Sequence, residues 1–284
     1  MNIDREALQI PASLELAVTY HREVRAGIER IWENVFDWEH LPVLHGIYFN
    51  HVELIESGSW GWRVELTKNP GTPDRLMLTE VRADRAKGRY RVQTLAGDGP
   101  GTEIWTLLEP VGPDRTAIEV RSYLPEHHRE KLETLGEKYR RSCQRLWDQD
   151  EAMMMRRDAV SARAADRRTR SRCPLPIGPL SELRPRLPLL VEFAGEPFRI
   201  VEIEDRRLIA HATTCPHWLG PLEETTPENG ILRCPWHGYL FDTWTGESAE
   251  GRGYRLMPPP RIVIDPATGE VTLISSPGVD SVPD

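Results

Sequence analysis

Residues 215–222 read Cys215-Pro-His-Trp-Leu-Gly-Pro-Leu222, and residues 234–242 read Cys234-Pro-Trp-His-Gly-Tyr-Leu-Phe-Asp242, with Thr245-Gly246 just behind. Each stretch pairs a thiol with an imidazole, Cys215 with His217 and Cys234 with His237. Two thiolates and two imidazoles at this spacing suit a two-iron cluster in which the cysteines hold one iron and the histidines the other. A zinc finger is the competing reading. Its second half, however, usually carries two histidines or two cysteines rather than one of each.

Taken with their flanking residues, the two loops resemble the Rieske ferredoxin family almost residue for residue. The resemblance implies a small all-β domain over residues 187–276 that holds a [2Fe–2S] cluster on Cys215, His217, Cys234 and His237. Short runs rich in Leu, Ile, Val and Phe at 187–193, 198–203, 208–212, 231–233, 261–264 and 271–274 supply the strands. Mitochondrial-type members bridge their ligand loops with a disulfide and donate hydroxyl hydrogen bonds to the cluster. Aligned on the motif, those cysteine positions are Gly220 and Trp236 here, and the tyrosine position is Phe241. No loop disulfide can form. Fewer hydrogen bonds to sulfur stabilise the reduced cluster less, so the expected potential lies near the low end of the Rieske range, about −150 mV.

Upstream, residues 14–24 alternate Leu14, Leu16, Val18 and Tyr20, as a strand does. Residues 26–40 place Ile28, Ile31, Trp32 and Val35 at helical spacing, and Pro42 ends or bends that helix. Six segments follow at 47–57, 59–68, 75–83, 87–95, 101–110 and 115–124. They are rich in Val, Ile, Tyr, Trp and Thr and are parted by turn residues, which reads as an antiparallel meander. A long helix is expected over 125–159, with Glu126 and Glu130 near its start, where negative charge is favoured. Strand, helix, six strands and a long last helix is the order of the helix-grip fold. Residues 13–158, including Trp32-Glu-Asn-Val-Phe-Asp-Trp-Glu-His-Leu-Pro42, resemble the START/SRPBCC superfamily. That implies a sheet wrapped around its C-terminal helix, with an apolar cavity between them. The expected class is therefore α+β: a helix-grip domain over 1–158 (a loose arm at 1–12), an Arg/Pro-rich linker over 159–186, and the all-β domain over 187–276.

The chain has 284 residues, long enough for two such domains. Its 39% hydrophobic and 28% charged residues describe an ordinary soluble protein. A net charge of −8 excludes a general nucleic-acid binder and docking on an anionic membrane by charge alone. No run approaches the roughly 18 apolar residues of a membrane span, and Met1-Asn-Ile-Asp-Arg-Glu lacks the pattern of a secretory signal. Cys143 and Cys173 then read as reduced thiols, which places the protein in the cytoplasm.

A Rieske cluster moves one electron at a time, so what it feeds decides the function. In Rieske non-haem iron oxygenases the catalytic domain is itself a helix-grip fold with a 2-His-1-carboxylate iron site. Its first two ligands sit in Asp-x2-His-x4-His after the first strand, where this chain has Asp37-Trp-Glu-His40-Leu-Pro-Val-Leu-His45. Five residues apart on an ideal helix leaves His40 and His45 about 140° apart, so they converge only if the backbone bends. Pro42 is a reason for it to bend. On the last helix, Leu132, Leu135, Tyr139, Cys143 and Leu146 mark the buried stripe, and Asp150 with Met153 or Met154 continues it. A carboxylate there is costly unless paired or bound to metal. Asp148 lies about 200° from that stripe and Glu151 about 100°, so both point elsewhere. The family has its carboxylate ligand in a similar acidic segment, here Trp147-Asp-Gln-Asp-Glu-Ala-Met-Met154, which makes Asp150 the third ligand.

The resemblance also implies a homotrimer in which Asp37 links His237 of one subunit to His40 of the next. It implies a ferredoxin or flavin reductase as electron donor, and O2 with a small apolar or aromatic substrate for hydroxylation or demethylation, on [2Fe–2S] and Fe(II) cofactors. Domain order departs from the family, whose Rieske domain comes first. The competing readings are surface histidines at 40 and 45, and an Asp150 paired with a linker arginine. With no second iron the chain becomes an electron carrier holding a hydrophobic ligand, or a redox sensor. His127 and His128 read as solvated. His21, His51 and His211 have no partner at ligand spacing, although His51 could line the cavity.

Overall fold

Seven antiparallel strands in the order β1-β7-β6-β5-β4-β3-β2 organise the N-terminal unit of the computed structural model, which describes residues 8–68, 76–165 and 173–276. The strands are β1 (Leu14–Val24), β2 (Phe49–Gly58), β3 (Gly61–Lys68), β4 (Leu76–Asp84), β5 (Arg89–Ala96), β6 (Glu103–Gly112) and β7 (Arg115–Pro125). From β2 to β7 each strand pairs with its successor, as in the expected meander, and β7 then receives β1. Helix α1 (Ile28–Phe36) leads from β1 toward the opposite edge, and helix α2 (Leu132–Ala165) closes the unit. This is the helix-grip order.

The core explains why the helices sit where they do. Val24, Ile31, Trp32, Leu108, Ile118 and Val120 are buried together with Cys143, Trp147 and Met154 of α2. Burying a side chain of Met size contributes roughly 1.5–3 kcal/mol, and positions 143, 147, 150 and 154 share one helical face. The apolar members of the stripe thus fix the rotation of α2 and thereby where Asp150 lands. Near the start of α2, a Cβ on Gly136 would lie 2.4 Å from the Ala17 carbonyl oxygen, so glycine permits the close approach of helix to β1. A second cluster of Trp62, Val64, Leu66, Met77 and Val81 receives Val35, Trp38 and Leu41. It anchors the stretch that follows α1.

Several boundaries differ from those expected. Residues 1–7 lie outside the described part, but Leu8 and Ile10 are buried with Leu14, Leu107 and Tyr123, so residues 8–12 are not a loose arm. Helix α1 stops at Phe36 rather than continuing to His40. Asp37 turns extended (φ −89°, ψ 94°) and its N–H closes on Asn34. A 3-10 turn over Glu126–Lys131 precedes α2, which therefore begins later and ends later than 125–159. His51 is exposed and lines no interior.

The second unit begins at Arg156, within the last turns of α2. Strands β9 (Leu189–Phe193), β10 (Glu196–Glu202) and β11 (Leu208–Ala212) form one sheet. Strands β12 (Ile231–Arg233) and β13 (Leu240–Asp242) form a hairpin. A third sheet takes β14 (Arg261–Ile264), β15 (Glu270–Ile274) and β8 (Leu175–Pro179). Its core is Phe193, Phe198, Ile200, Leu208, Ala210 and Leu273, with Ile177, Leu180 and Leu187 packed against them. The linker expected at 159–186 is corrected accordingly. Strand β8 pairs with β15, and Leu183 of the short helix α3 (Leu180–Leu183) is buried, because Ile177, Leu180 and Leu183 supply apolar surface that a solvated linker lacks. Residues 166–172 of that span lie outside the described part. Among the described residues no helix is long and apolar enough to cross a membrane.

Candidate functional site

The first ligand loop leaves β11 and is drawn closed where the Cys215 N–H donates to the Gly220 carbonyl at 2.9 Å. Trp218 and Leu219 between them take left-handed φ values of 55° and 61°. Two consecutive non-glycine residues in that region cost free energy, and such strain gathers at ligand-holding loops. The second loop caps the β12–β13 hairpin, with Cys234 N–H donating to Tyr239 and Gly238 N–H to Cys234, both at 2.9 Å. Cys215 and Cys234 are wholly buried, and His217 and His237 nearly so. The two imidazoles stand at 83° with centroids 4.4 Å apart. The sequence-assigned quartet is thus gathered at the tips of two adjacent loops.

Gly220 shows how tight the arrangement is. A Cβ at that position would lie 2.7 Å from Cys234 Sγ, so the place of a bridging cysteine is filled by the cluster cysteine itself. Without metal the two thiols act as a coupled pair. A hydrogen bond from Cys215 draws the Cys234 thiol down to about 5 despite burial. The same hydrogen bond and burial push Cys215 up. Cations that bind both thiolates relieve that competition, so the donor set fits an iron–sulfur cluster. Phe241 is fully buried and offers no hydroxyl. Tyr239 lies flat on His217, at 4.1 Å between centroids and 12° between planes, and the Arg252 guanidinium lies 4.3 Å from the Tyr239 ring centroid. Sequence reasoning quoted Tyr239 only as part of the motif.

In the N-terminal unit the stretch after α1 passes through successive turns. Leu44 N–H donates to the His40 carbonyl at 2.8 Å and Tyr48 N–H to the His45 carbonyl at 2.8 Å. Convergence of the two histidines therefore comes from a run of turns around Pro42, not from a bent helix. Their rings stand at 79°, 4.8 Å apart. Asp150 Oδ1 lies 3.1 Å from His45 Nε2 and 3.6 Å from His40 Nε2. His40, His45 and Asp150 are each under a tenth exposed, and their ligand atoms all fall within 4.8 Å of one another. With metal–ligand bonds of about 2.0–2.2 Å, atoms at right angles around an ion sit about 3 Å apart. Asp150 Oδ1 is buried and makes no hydrogen bond of good geometry. An acceptor oxygen left this way beside two imidazole nitrogens fits a cation at their centre. Burial lowers the His45 pKa, but the Asp150 carboxylate and the Gln149 amide oxygen beside the ring outweigh it and raise it.

Of the trio's neighbours, the resemblance implies Asp37 beside His40, whereas Gln149 beside His45 comes from the fold. Asp37 Oδ2 lies 3.2 Å from His40 Nδ1, although Asp37 is the cap of α1 and shares no helix with His40. Gln149 Oε1 lies 2.9 Å from His45 Nδ1. Glu151 turns to the opposite side, where its carboxylate takes hydrogen bonds from Arg22 and from Arg25 Nε, the latter at 2.7 Å. Burial works against ionisation of Glu151, yet these arginine bonds hold its pKa below the usual carboxylate range. Asp148 also meets Arg22, at 2.5 Å. The acids beside Asp150 therefore pair with arginines of β1 and of the turn after it, and Asp150 faces histidines. The only advance signal for Gln149 was its place in sequence next to Asp150. An amide is not a metal-ligand type, so a search for ligands passes over it.

The remaining histidines do not join either group. His211 is buried, its Nδ1 is 2.9 Å from the Ala212 carbonyl oxygen, and burial lowers its pKa. His21 lies near Glu119, and the rings of His127 and His128 lie 4.1 Å apart, tilted by 46°, at the start of the 3-10 turn. Among the described residues there is no disulfide. Cys143 is buried and its thiol pushed up to about 11 by that burial, whereas Cys173 is exposed.

Comparison with known proteins agrees with the reading of the C-terminal unit. Residues 173–256 match the family described as the Rieske [2Fe-2S] domain. No curated protein sequence matches the chain. Among solved structures, norcoclaurine synthase from Thalictrum flavum is 19% identical, with a TM-score of 0.40 over 55% of this chain and 95% of that one. An aromatase/cyclase from a Streptomyces species is 16% identical, with a TM-score of 0.41 over 51% of this chain and 95% of that one. A START superfamily protein from Mycobacterium smegmatis is 21% identical, with a TM-score of 0.38 over 48% and 97%. The chain thus carries a Rieske [2Fe–2S] domain, residues 173–256, behind an N-terminal domain whose antiparallel sheet and long closing helix follow the helix-grip order.

Proposed function

We propose that this protein is a Rieske-type non-haem iron oxygenase with its two domains in inverted order. The observation that carries the reading is the convergence of His40 Nε2, His45 Nε2 and Asp150 Oδ1 in a buried place. Two imidazoles and one carboxylate leave coordination positions open on a six-coordinate ion, as oxygen chemistry requires. When bound, the cluster on Cys215, His217, Cys234 and His237 supplies single electrons, and a mononuclear Fe(II) on the trio activates O2 against the substrate.

The protein's own groups do the positioning. Asp37 Oδ2, 3.2 Å from His40 Nδ1, backs that ring with a carboxylate and leaves His40 Nε2 facing Asp150. Trp147, Met153 and Met154 hold the helix that presents Asp150 and keep water from it. Trp32, Tyr90, Ile104 and the neighbouring apolar groups make the interior suit a small apolar or aromatic substrate. Hydroxylation and oxidative demethylation both fit. A ferredoxin or flavin reductase as donor, a cytoplasmic setting and a homotrimer in which the electron arrives through Asp37 belong to the same proposal.

The test is an iron count on the purified full chain after anaerobic reconstitution with iron and sulfide. About three irons per chain are expected, two from the cluster and one from the trio. A count of two, with a complete cluster spectrum, favours an electron carrier with a ligand-binding N-terminal domain instead. A second expected result concerns Asp37→Asn. It retains the iron count and the cluster spectrum but slows oxidation of the reduced cluster by O2 in the presence of substrate by about 10–100-fold, the usual effect of losing a ligand's hydrogen-bonding carboxylate. Wild-type oxidation rates in that variant remove Asp37 from the proposal.

A further inference from the structure

Gln149 joins the two segments that carry the trio. Its amide Nε2 donates to the Leu44 carbonyl at 2.8 Å, and its Oε1 sits 2.9 Å from His45 Nδ1. A backbone carbonyl can only accept, so the amide is fixed with nitrogen toward Leu44 and oxygen toward His45. The amide oxygen can only accept in turn. His45 must therefore carry its proton on Nδ1 and keep a lone pair on Nε2, the atom 3.1 Å from Asp150 Oδ1. Rotation of the ring is also checked, because the same side chain grips both sides of the Leu44–His45 peptide.

We propose that Gln149 is a positioning residue that selects the tautomer and ring orientation of His45 required for metal binding, and that clamps the ligand-bearing turn to the ligand-bearing helix. This rests on the metal-site reading above. The two histidines are then unequal. His40 is backed by the carboxylate of Asp37, and His45 by a neutral amide that orients without adding charge. Because Gln149 and Asp150 are consecutive, one turn of α2 supplies both a ligand and the partner of another ligand. Glu151, held by Arg22 and Arg25, fixes the rotation of that turn.

The experiment uses the full chain with its cluster intact and loosely held metal removed by chelator. Co(II) is titrated by calorimetry into wild type, Gln149→Leu, His45→Ala and Asp150→Ala. Wild type is expected to bind one Co(II) that His45→Ala and Asp150→Ala lose, and Gln149→Leu to bind it about 10–100-fold more weakly. In parallel, histidine-selective 15N NMR of the metal-free protein reads the tautomer. His45 is expected to be protonated at Nδ1 in wild type and to revert to a mixture in Gln149→Leu. Equal Co(II) affinity in a folded Gln149→Leu protein overturns the proposal. So does a wild-type His45 protonated at Nε2, which needs no variant to fold. Failure of wild type to bind Co(II) at His45 and Asp150 overturns the metal site itself, and is distinguished by leaving the wild-type tautomer at Nδ1.

Discussion

His217→Ala is expected to abolish the Rieske absorption and EPR signals and to lower bound iron by about two per chain. Cys215→Ser, Cys234→Ser and His237→Ala should do the same. Gly220 has no side chain and is pressed against Cys234, and Phe241 is apolar, so neither of these neighbours can replace a lost ligand. Removing His217 also strips Tyr239 of the ring it stacks on, so some loss of stability accompanies loss of cluster. In wild type, a potentiometric titration is expected to place the cluster near −150 mV, the low end of its class, because no hydroxyl stands at Phe241. Full Rieske signals in purified His217→Ala protein would show the ligand assignment to be wrong.

His40→Ala and Asp150→Ala are expected to leave the Rieske spectrum intact, lower iron from about three to about two per chain, and reduce O2-dependent turnover to background. The two variants remove different kinds of ligand from one buried site, and the fold does not depend on either. Helix α2 is held on its apolar face by Cys143, Trp147, Met153 and Met154, each large one contributing roughly 1.5–3 kcal/mol. Asp150 contributes nothing of that kind. Asp150 faces His40 and His45 rather than apolar neighbours, so truncating it removes no apolar packing from the helix. Turnover lost together with one iron, at unchanged thermal stability, is the signature that separates a metal ligand from a packing residue. Unchanged iron in both variants after careful reconstitution points instead to the electron carrier.

The amino-acid sequence by itself determined the chemistry of the C-terminal domain. Its four expected ligands come in two short motifs, Cys215 to His217 and Cys234 to His237, and so short a spacing keeps each cysteine close to its own histidine. Periodicity likewise determined the meander and the long helix, since alternation in strands and the three-and-four stripe in α2 are local properties. It also placed Asp150 on the buried stripe and Glu151 off it, because rotation along a helix is arithmetic. Tertiary structure decided what depends on long-range packing. Helix α1 ends at Asp37, and the run of turns after it brings His40 and His45 together, a path that no helical or strand period encodes. The partners around the site come from far along the chain, Gln149 for His45, and Arg22 and Arg25 for the Glu151 beside Asp150. Residues 175–186, written as an Arg/Pro-rich linker, fold into the second domain because strand β8 finds its edge on β15, almost a hundred residues later in sequence. Prolines and arginines dominate the local composition there. A few apolar side chains, Ile177 and Leu183 among them, decide the outcome once a core exists to receive them.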